Sequence, residues 1–177
     1  FNMYPVYYWR NGEAADRQGI REIRYVVGLY EFFDTLQQRH PDLLLDNCAS
    51  GGRRIDFEML RRALVLTRSD YLWDPVGQQC HTFGLAQWVP LTGIGAASVD
   101  RYQCRSGLGS HFALAADCYS GDEATWASID RTLREYHSLK HLYRGDFYPL
   151  GPYSTANDTW LAWQCHRSDL NAGVVQA

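Results

Sequence analysis

Two polar segments follow apolar runs in this sequence, and their residue types could carry out acid–base or covalent chemistry. The first reads DNCASGGRRID, so that Asp46 and Cys48 come directly after the apolar run LLL. The second reads TRSD and ends at Asp70, again after an apolar run. Two carboxylates at neighbouring strand ends could serve as a general acid, a general base or a nucleophile. The other interpretation is that these acids cap helices or pair with the arginines beside them.

The first segment also contains a thiol and a pair of glycines. Gly51 and Gly52 would let the backbone approach a ligand closely, because no side chain would intervene. Cys48 could be a nucleophile, but the sequence assigns no histidine partner to it. The segment therefore predicts a ligand site without deciding which residue reacts.

The histidines show no pattern of their own that indicates a site. His137 and His141 are four residues apart on a predicted helix, but the acid of a HExxH motif is missing, so we expect a solvated face. His81 and His111 are expected to be core or supporting histidines. The sequence also lacks a phosphate-binding loop and a GxSxG motif.

An alternation of helices and strands is predicted to position the two polar segments. Apolar residues recur at helical spacing from Arg17 to Arg39 and from Asp122 to Tyr143, with Asp122 as an N-cap. Between these helices, DLLLDN and LVLTRSD resemble strands, and DFEMLRRAL and VGQQCHTFGLAQWVP resemble helices. TGIGAASVD could be a short strand or a Gly-rich turn, and GSHFALAAD a strand or a helix.

Apolar strands that alternate with helices are typical of a parallel sheet covered on both faces. Ligands bind such folds at the carboxyl ends of the strands, where both polar segments are predicted to lie. From about Tyr148 the pattern changes to a Pro- and Gly-rich loop, followed by a predicted hairpin that turns at residues 168–171. We expect a small β unit to begin near residue 155.

The composition of the 177 residues excludes some classes of partner. A net charge of −3 and a pI near 6.1 give no reason to expect nucleic acid or an anionic membrane as a partner. No apolar run approaches the roughly 18 residues of a membrane span. The five cysteines are scattered without a CxxC pair, so we expect neither a disulfide framework nor a zinc cluster, and a cytoplasmic location. The sequence starts at a Phe and ends in a strand-like run, from which we expect a fragment.

The first polar segment resembles a family signature. DNCASGGRRIDFEML is similar to the E-S-C-A-S-G-G-G-R-F-D-x-x-M-L signature of glycoside hydrolase family 36, the α-galactosidases and α-N-acetylgalactosaminidases. LTRSDYLWD resembles the family's W-T-S-D-D-T-D motif. The resemblance covers residues 1 to about 150. It implies that residues 1–150 form the C-terminal half of a catalytic (β/α)8 barrel and that residues 151–177 begin a C-terminal β-sandwich domain.

The resemblance also implies residue roles in a retaining, two-aspartate hydrolysis of terminal α-galactosyl residues. Asp70 matches the acid/base aspartate, whereas the nucleophile would be the residue immediately before Phe1, in a motif whose Asn matches Asn2. Arg68 is expected to face the substrate or Asp46. The implied substrate-binding residues are Asn2, Asp46, Cys48, Gly51, Gly52, Arg54 and Arg68.

The chain departs from the family pattern at three places. Arg53 replaces a Gly, Asp46 replaces a Glu, and RSDYLWD lacks the acid and the Thr that follow the family's first Asp. These departures keep two alternatives open: an inactive carbohydrate-binding relative, and an unrelated α/β enzyme that uses Cys48. The expected partner is an oligosaccharide or glycoside, assembly with further copies of the chain is left open, and no metal or organic cofactor is expected.

Overall fold

Parallel strands carry both polar segments. The computed structural model describes residues 4–63, 65–89, 92–116 and 121–177. Four parallel strands form one sheet, in which they are arranged in chain order. The strands are β1 (Asp46–Asn47), β2 (Val65–Thr67), β3 (Thr92–Ala96) and β4 (His111–Leu114), each parallel to its neighbour. The predicted parallel α/β sheet is therefore confirmed, and both ambiguous segments contain strands.

The first strand is shorter than the apolar run that predicts it. Only Asp46–Asn47 pairs with β2, whereas Leu43 and Leu44 before it are 37% and 82% exposed. The prediction of a strand over residues 42–47 is thus wrong in extent. An apolar run forms a strand only where a neighbouring strand satisfies its backbone hydrogen bonds, and for β1 that neighbour is the short β2.

Four helices lie where the sequence predicts them, and three short helical segments, at residues 6–10, 49–52 and 101–106, were not predicted. The helices are α1 (Val6–Arg10), α2 (Ile20–Arg39), α3 (Ala49–Gly52), α4 (Phe57–Leu60), α5 (Pro75–Leu85), α6 (Arg101–Ser106) and α7 (Glu123–Leu139), with 3-10 turns at Ala15–Arg17 and Leu142–Arg144. An aspartate accepts a backbone N–H at the start of four of them, and these caps are Asp56, Asp74, Asp100 and Asp122. The predicted cap at Asp122 is confirmed. Each such cap satisfies a backbone donor that the helix itself leaves free.

The long helix α2 forms as predicted, but its apolar stripe is only partly covered. Tyr30 and Phe33 pack against a small core of four buried residues, namely Met59, Ala63, Leu66 and Val89. Ile23 and Val27 are 60% and 50% exposed on the same helix. Spacing therefore predicted the helix correctly but not how much of its stripe is buried, which depends on its packing partners.

A second, antiparallel sheet completes the described part of the chain. Its strands are β5 (Asp146–Pro149), β6 (Trp163–Arg167) and β7 (Ala172–Gln176), and β6 and β7 form the predicted hairpin around residues 168–171. The β unit begins at Asp146, so the expected start near residue 155 is wrong. The Pro and Gly residues of this region lie in the loop between β5 and β6 and at the end of β5, rather than before the first strand.

One core cluster joins the two sheets. Phe83 of α5 and Phe112 of β4 belong to the same buried cluster as Trp163 and Cys165 of β6. The antiparallel sheet therefore packs on the helices that cover the parallel sheet. No helix of the described residues is long and apolar enough to cross a membrane.

Candidate active site

The two polar segments meet at the carboxyl ends of β1 and β2. The strands are in register with Asp46 beside Val65 and Asn47 beside Leu66, so Cys48 and Asp70 follow the strands at the same edge. Cys48 Sγ lies 3.5 Å from Asp70 Oδ1 as a hydrogen-bond donor. Cys48 is half-buried and Asp70 is exposed. The expectation that these residues share one end of the sheet is confirmed.

A left-handed turn connects Cys48 to the arginines. The four residues of α3 all have positive φ angles: 54° at Ala49, 56° at Ser50, 76° at Gly51 and 93° at Gly52. Left-handed backbone costs a residue with a Cβ roughly 1–2 kcal/mol. Ala49 and Ser50 therefore hold strained conformations beside Asp70, and such strain tends to cluster at functional sites.

The glycine pair is required by the close packing of the turn on the second polar segment. A Cβ on Gly52 would lie 2.1 Å from the carbonyl oxygen of Arg68, and a Cβ on Gly51 would lie 2.9 Å from the backbone nitrogen of Asp70. The turn packs directly on the backbone that carries Asp70. The glycines thereby fix the position of the carboxyl group relative to Cys48.

Asn47 anchors the far end of this turn. Its side chain is buried, and Nδ2 donates to the carbonyl oxygen of Arg54 at 2.8 Å. Arg54 itself is half-buried, whereas Arg53 is exposed with its guanidinium 5.3 Å from the centre of the Tyr4 ring. Asp56 is the cap of α4 and accepts a hydrogen bond from the Tyr30 hydroxyl at 3.3 Å. Asn2 lies outside the described residues.

Thr67 and His111 lie at one level of the sheet, and Asp46 lies two residues lower, beside Val65. Thr67 Oγ1 donates to Asp46 Oδ1 at 3.5 Å, and Thr67 and His111 are register partners of Gly93 on its two sides. Burial lowers the pKa of His111, the Asp46 carboxylate opposes this shift, and the positive charge of Arg68 adds to it. The pKa shift favours the neutral imidazole, as expected for a supporting histidine.

Arg68 donates its hydrogen bonds to α5 rather than to Asp46 among the described residues. Its side chain is buried, and NH2 donates to the carbonyl oxygen and to Oε1 of Gln78 on α5, at 3.2 and 3.1 Å. Burial lowers the pKa of Arg68 to about 10. Its predicted role in substrate binding stays a prediction.

Gln78 and Gln103 were missed by the sequence analysis. Each glutamine amide donates to a backbone carbonyl of the loop after Asp70: Gln78 to Tyr71, and Gln103 to Trp73 at 2.8 Å. Gln78 is fully buried. A glutamine in a helical segment carries no signal of such a contact, because the contact depends on how the helix packs on a loop distant in sequence.

Among the described residues, the histidines do not form a metal site, and cavities are present. His137 and His141 are exposed, as expected, and among the residues described no cluster of three His, Cys, Asp or Glu side chains could hold a metal ion. A cavity of about 360 Å³ behind the turn is lined by Trp9, Tyr25, Arg53 and other residues. A larger one of about 710 Å³ lies between α6 and β7, away from both polar segments. That no cofactor is needed stays a prediction.

Comparison with known proteins places the site within a family region. The Melibiase family model matches residues 5–105, which include both polar segments. The chain is 36% identical over 72 residues to the bifunctional α-galactosidase/sucrose kinase AgaSK of Mediterraneibacter gnavus, covering 41% of the chain and 8% of that protein. It is 24% identical over 168 residues to α-galactosidase AgaA of Geobacillus stearothermophilus, covering 87% of the chain and 23% of that protein.

The fold is also found in a solved structure. A crystal structure of the glycoside hydrolase family 36 α-galactosidase AgaA from Geobacillus stearothermophilus, in complex with raffinose, matches with a TM-score of 0.73 and 23% identity. The match covers 93% of this chain and 24% of that one. The chain therefore spans less than a quarter of the length of these relatives. The expected fold, the C-terminal part of a (β/α)8 barrel followed by the start of a β domain, is confirmed.

Proposed function

The chain belongs to the Melibiase family, and from this we propose that it supplies part of the active site of a glycosidase that releases terminal α-galactosyl residues from oligosaccharides. The observation that carries the proposal is the contact of Cys48 Sγ with Asp70 Oδ1, 3.5 Å apart at one edge of the sheet. This contact joins the two segments that resemble the family motifs. The α-galactosidase names of the relatives support the choice of sugar.

The proposed reaction is a double displacement with retention of configuration. A carboxylate attacks the anomeric carbon while Asp70, as the general acid, protonates the departing oxygen. Asp70 then accepts a proton from the water that releases the sugar. Retaining enzymes hold the two carboxyl groups about 5 Å apart. The resemblance assigns the nucleophile to the residue before Phe1, so we propose that position for it in the complete protein.

The other predicted site residues receive supporting roles. We propose that Cys48, Gly51 and Gly52 lie against the substituent at the 2-position of the sugar, because the turn that contains them borders the carboxyl group of Asp70. Asp46 and Asn2 are proposed to bind sugar hydroxyls. Arg68 and Arg54 are proposed to bind the substrate. Their backbones hold the turn on both sides: the carbonyl of Arg68 packs against Gly52, and the carbonyl of Arg54 accepts a hydrogen bond from Asn47.

We further propose the division of the chain that the resemblance implies. Residues 1–150 would contribute to the barrel, and residues 151–177 would begin the β domain. The shared core of Phe83, Phe112 and Trp163 supports a fixed arrangement of the two parts. The change from parallel to antiparallel pairing at β5 lies within a few residues of this boundary.

The test of the proposed function is Asp70→Asn in the complete protein. An amide cannot donate the proton that a poor leaving group needs, so turnover of an alkyl or sugar α-galactoside should fall about 10²-fold or more. An activated aryl α-galactoside, whose leaving group departs without protonation, should lose less. Steady-state kinetics on both substrate types measure the difference.

The control for this test is Asp42→Asn, which changes an exposed aspartate of the segment before β1, whereas Cys48 and Asp70 follow their strands. It should leave both rates unchanged. Equal loss on the two substrate types, or no loss on either, would contradict a general acid at Asp70. Inactivation by iodoacetamide that substrate prevents, in a protein indifferent to Asp70→Asn, would favour the alternative in which Cys48 reacts.

A further inference from the structure

Two large aromatic side chains follow Asp70 and remain exposed. Tyr71 is 41% exposed and Trp73 is 59% exposed. Their ring centroids are 4.7 Å apart with an angle of 70° between the planes, so they form an edge-to-face pair. Neither residue belongs to the core clusters of the described residues. These are also the positions at which the sequence departs from the family motif, so the family pattern does not account for them.

The loop that carries this aromatic pair is held in place on both sides. The buried Gln78 donates to the carbonyl oxygen of Tyr71, and Gln103 Nε2 donates to that of Trp73 at 2.8 Å. The backbone nitrogen of Tyr71 donates to Ser69 Oγ at 3.0 Å. Aromatic rings on a fixed backbone lose little conformational entropy when a ligand covers them. The loop is therefore already arranged for binding.

The lower side of the pair is supported by α5. A Cβ on Gly77 would lie 3.4 Å from Tyr71 Cδ1, so the helix passes directly beneath the Tyr71 ring and has no side chain there. Asp74 caps the same helix one residue after Trp73. The Tyr71 ring thus packs on the helix, while much of the surface of both rings stays accessible to solvent.

The position of the aromatic pair next to Asp70 indicates which part of a substrate it would contact. Cys48 contacts Asp70 Oδ1, and a Cβ on Gly51 would lie 3.1 Å from Oδ2, so the left-handed turn packs against the side of the carboxyl group that faces β1. An oxygen that Asp70 protonates would approach from a side that the turn does not cover. Because the loop with Tyr71 and Trp73 begins at the residue after Asp70, a group attached to that oxygen would come close to this aromatic pair.

We propose that Tyr71 and Trp73 form a stacking platform for the sugar ring of the leaving group. This inference rests on the proposed function, since it takes Asp70 as the residue beside the scissile oxygen. The C–H groups on one face of a pyranose are apolar and pack on aromatic rings, while its hydroxyls stay hydrated at the edge. The platform would make the enzyme prefer oligosaccharides over α-galactosides with small leaving groups.

The test compares substrates that differ only in the leaving group. In the complete protein, Tyr71→Ala/Trp73→Ala should lower kcat/KM about tenfold for an α-galactosyl disaccharide. It should leave kcat/KM unchanged for α-galactosyl fluoride, whose leaving group has no ring. Trp73→Phe should recover much of the loss. The matched control is Trp88→Ala, which removes a ring from another exposed aromatic pair, Phe57 and Trp88.

A binding measurement keeps the inference testable apart from catalysis. In Asp70→Asn protein, calorimetry should show weaker binding of the disaccharide, but not of galactose, when Trp73→Ala is added. Equal loss on the disaccharide and the fluoride, or disaccharide affinity that Trp73→Ala does not change, would overturn the platform. A wild-type protein that does not hydrolyse the fluoride would contradict the proposed function instead, and the calorimetric comparison would still decide the platform.

Discussion

His81 and His111 are half-buried, and their burial and the positive charge of the buried Arg68 lower the pKa of both. Burial lowers the pKa of His81, Arg68 lowers it further, and the carboxylate of Asp74 opposes both. His111 experiences the same burial and the same arginine, opposed by Asp46. The pKa of each imidazole is therefore lower in the folded protein than in the unfolded chain, where it is about 6.5.

This difference predicts a loss of stability in mild acid. Below pH of about 6.5 the unfolded chain binds protons that the folded protein does not, so the free energy of unfolding decreases as the pH falls. Urea unfolding at pH 7.5 and 5.5 measures the slope. His81→Gln/His111→Gln should flatten it, whereas His137→Gln on the exposed face of α7 should not. If the double variant shows the same pH dependence of stability as the wild type, His81 and His111 are not its source.

At the scale of elements, the left-handed turn and the end of β2 depend on each other. Gly52 fits against the carbonyl of Arg68 only because it has no Cβ, and its φ of 93° is unfavourable for other residues. Asn47 holds the other end of the turn through the carbonyl of Arg54. The contact between Cys48 and Asp70 is therefore a consequence of backbone packing between two loops.

A substitution at Gly52 should separate these loops. Gly52→Ala would place a methyl group 2.1 Å from the Arg68 carbonyl oxygen, and we expect it to destabilise the protein by roughly 3 kcal/mol. Gly28→Ala on α2 is the matched control, because a Cβ at this position would meet no atom within 4 Å. The control should stabilise the protein by about 0.5–1 kcal/mol. Denaturant midpoints compare the two variants, and similar midpoints would contradict the close packing.

At the scale of the whole molecule, a shared core joins the parallel and antiparallel sheets. Trp163 of β6 is 2% exposed and lies in the cluster that contains Phe83, Cys104 and Phe112. Its indole nitrogen donates to Gln176 Oε1 at 3.1 Å, which also ties β6 to β7. Loss of packing here should therefore affect the helices that support the site as well as the hairpin.

Trp163→Ala tests this coupling. The cavity and the lost contacts should cost about 3–5 kcal/mol, and a single unfolding transition should shift for both parts of the chain together. Trp160→Ala, which changes a tryptophan that is 81% exposed, should change the stability little. Two separate transitions in the Trp163→Ala protein, followed by fluorescence and circular dichroism, would show that the sheets unfold independently.

Residue order alone predicted the two long helices, the alternation of strands and helices, and the place of the candidate site. Spacing predicted α2, α7 and the terminal hairpin, because amphipathic periodicity and turn residues are local properties. The position of polar residues directly after apolar runs predicted that Cys48 and Asp70 would share an edge. These inferences needed no knowledge of packing.

Tertiary structure decided everything that depends on contacts distant in sequence. Arg68 donates to Gln78 of α5 rather than to Asp46, because its partner depends on how α5 packs beside the end of β2. The glycine pair lets the turn pack on the backbone of Arg68 and Asp70. The loop with the exposed aromatic pair is held by side-chain amides from two helices. Local sequence cannot specify such contacts, since each exists only once separate elements have packed against one another.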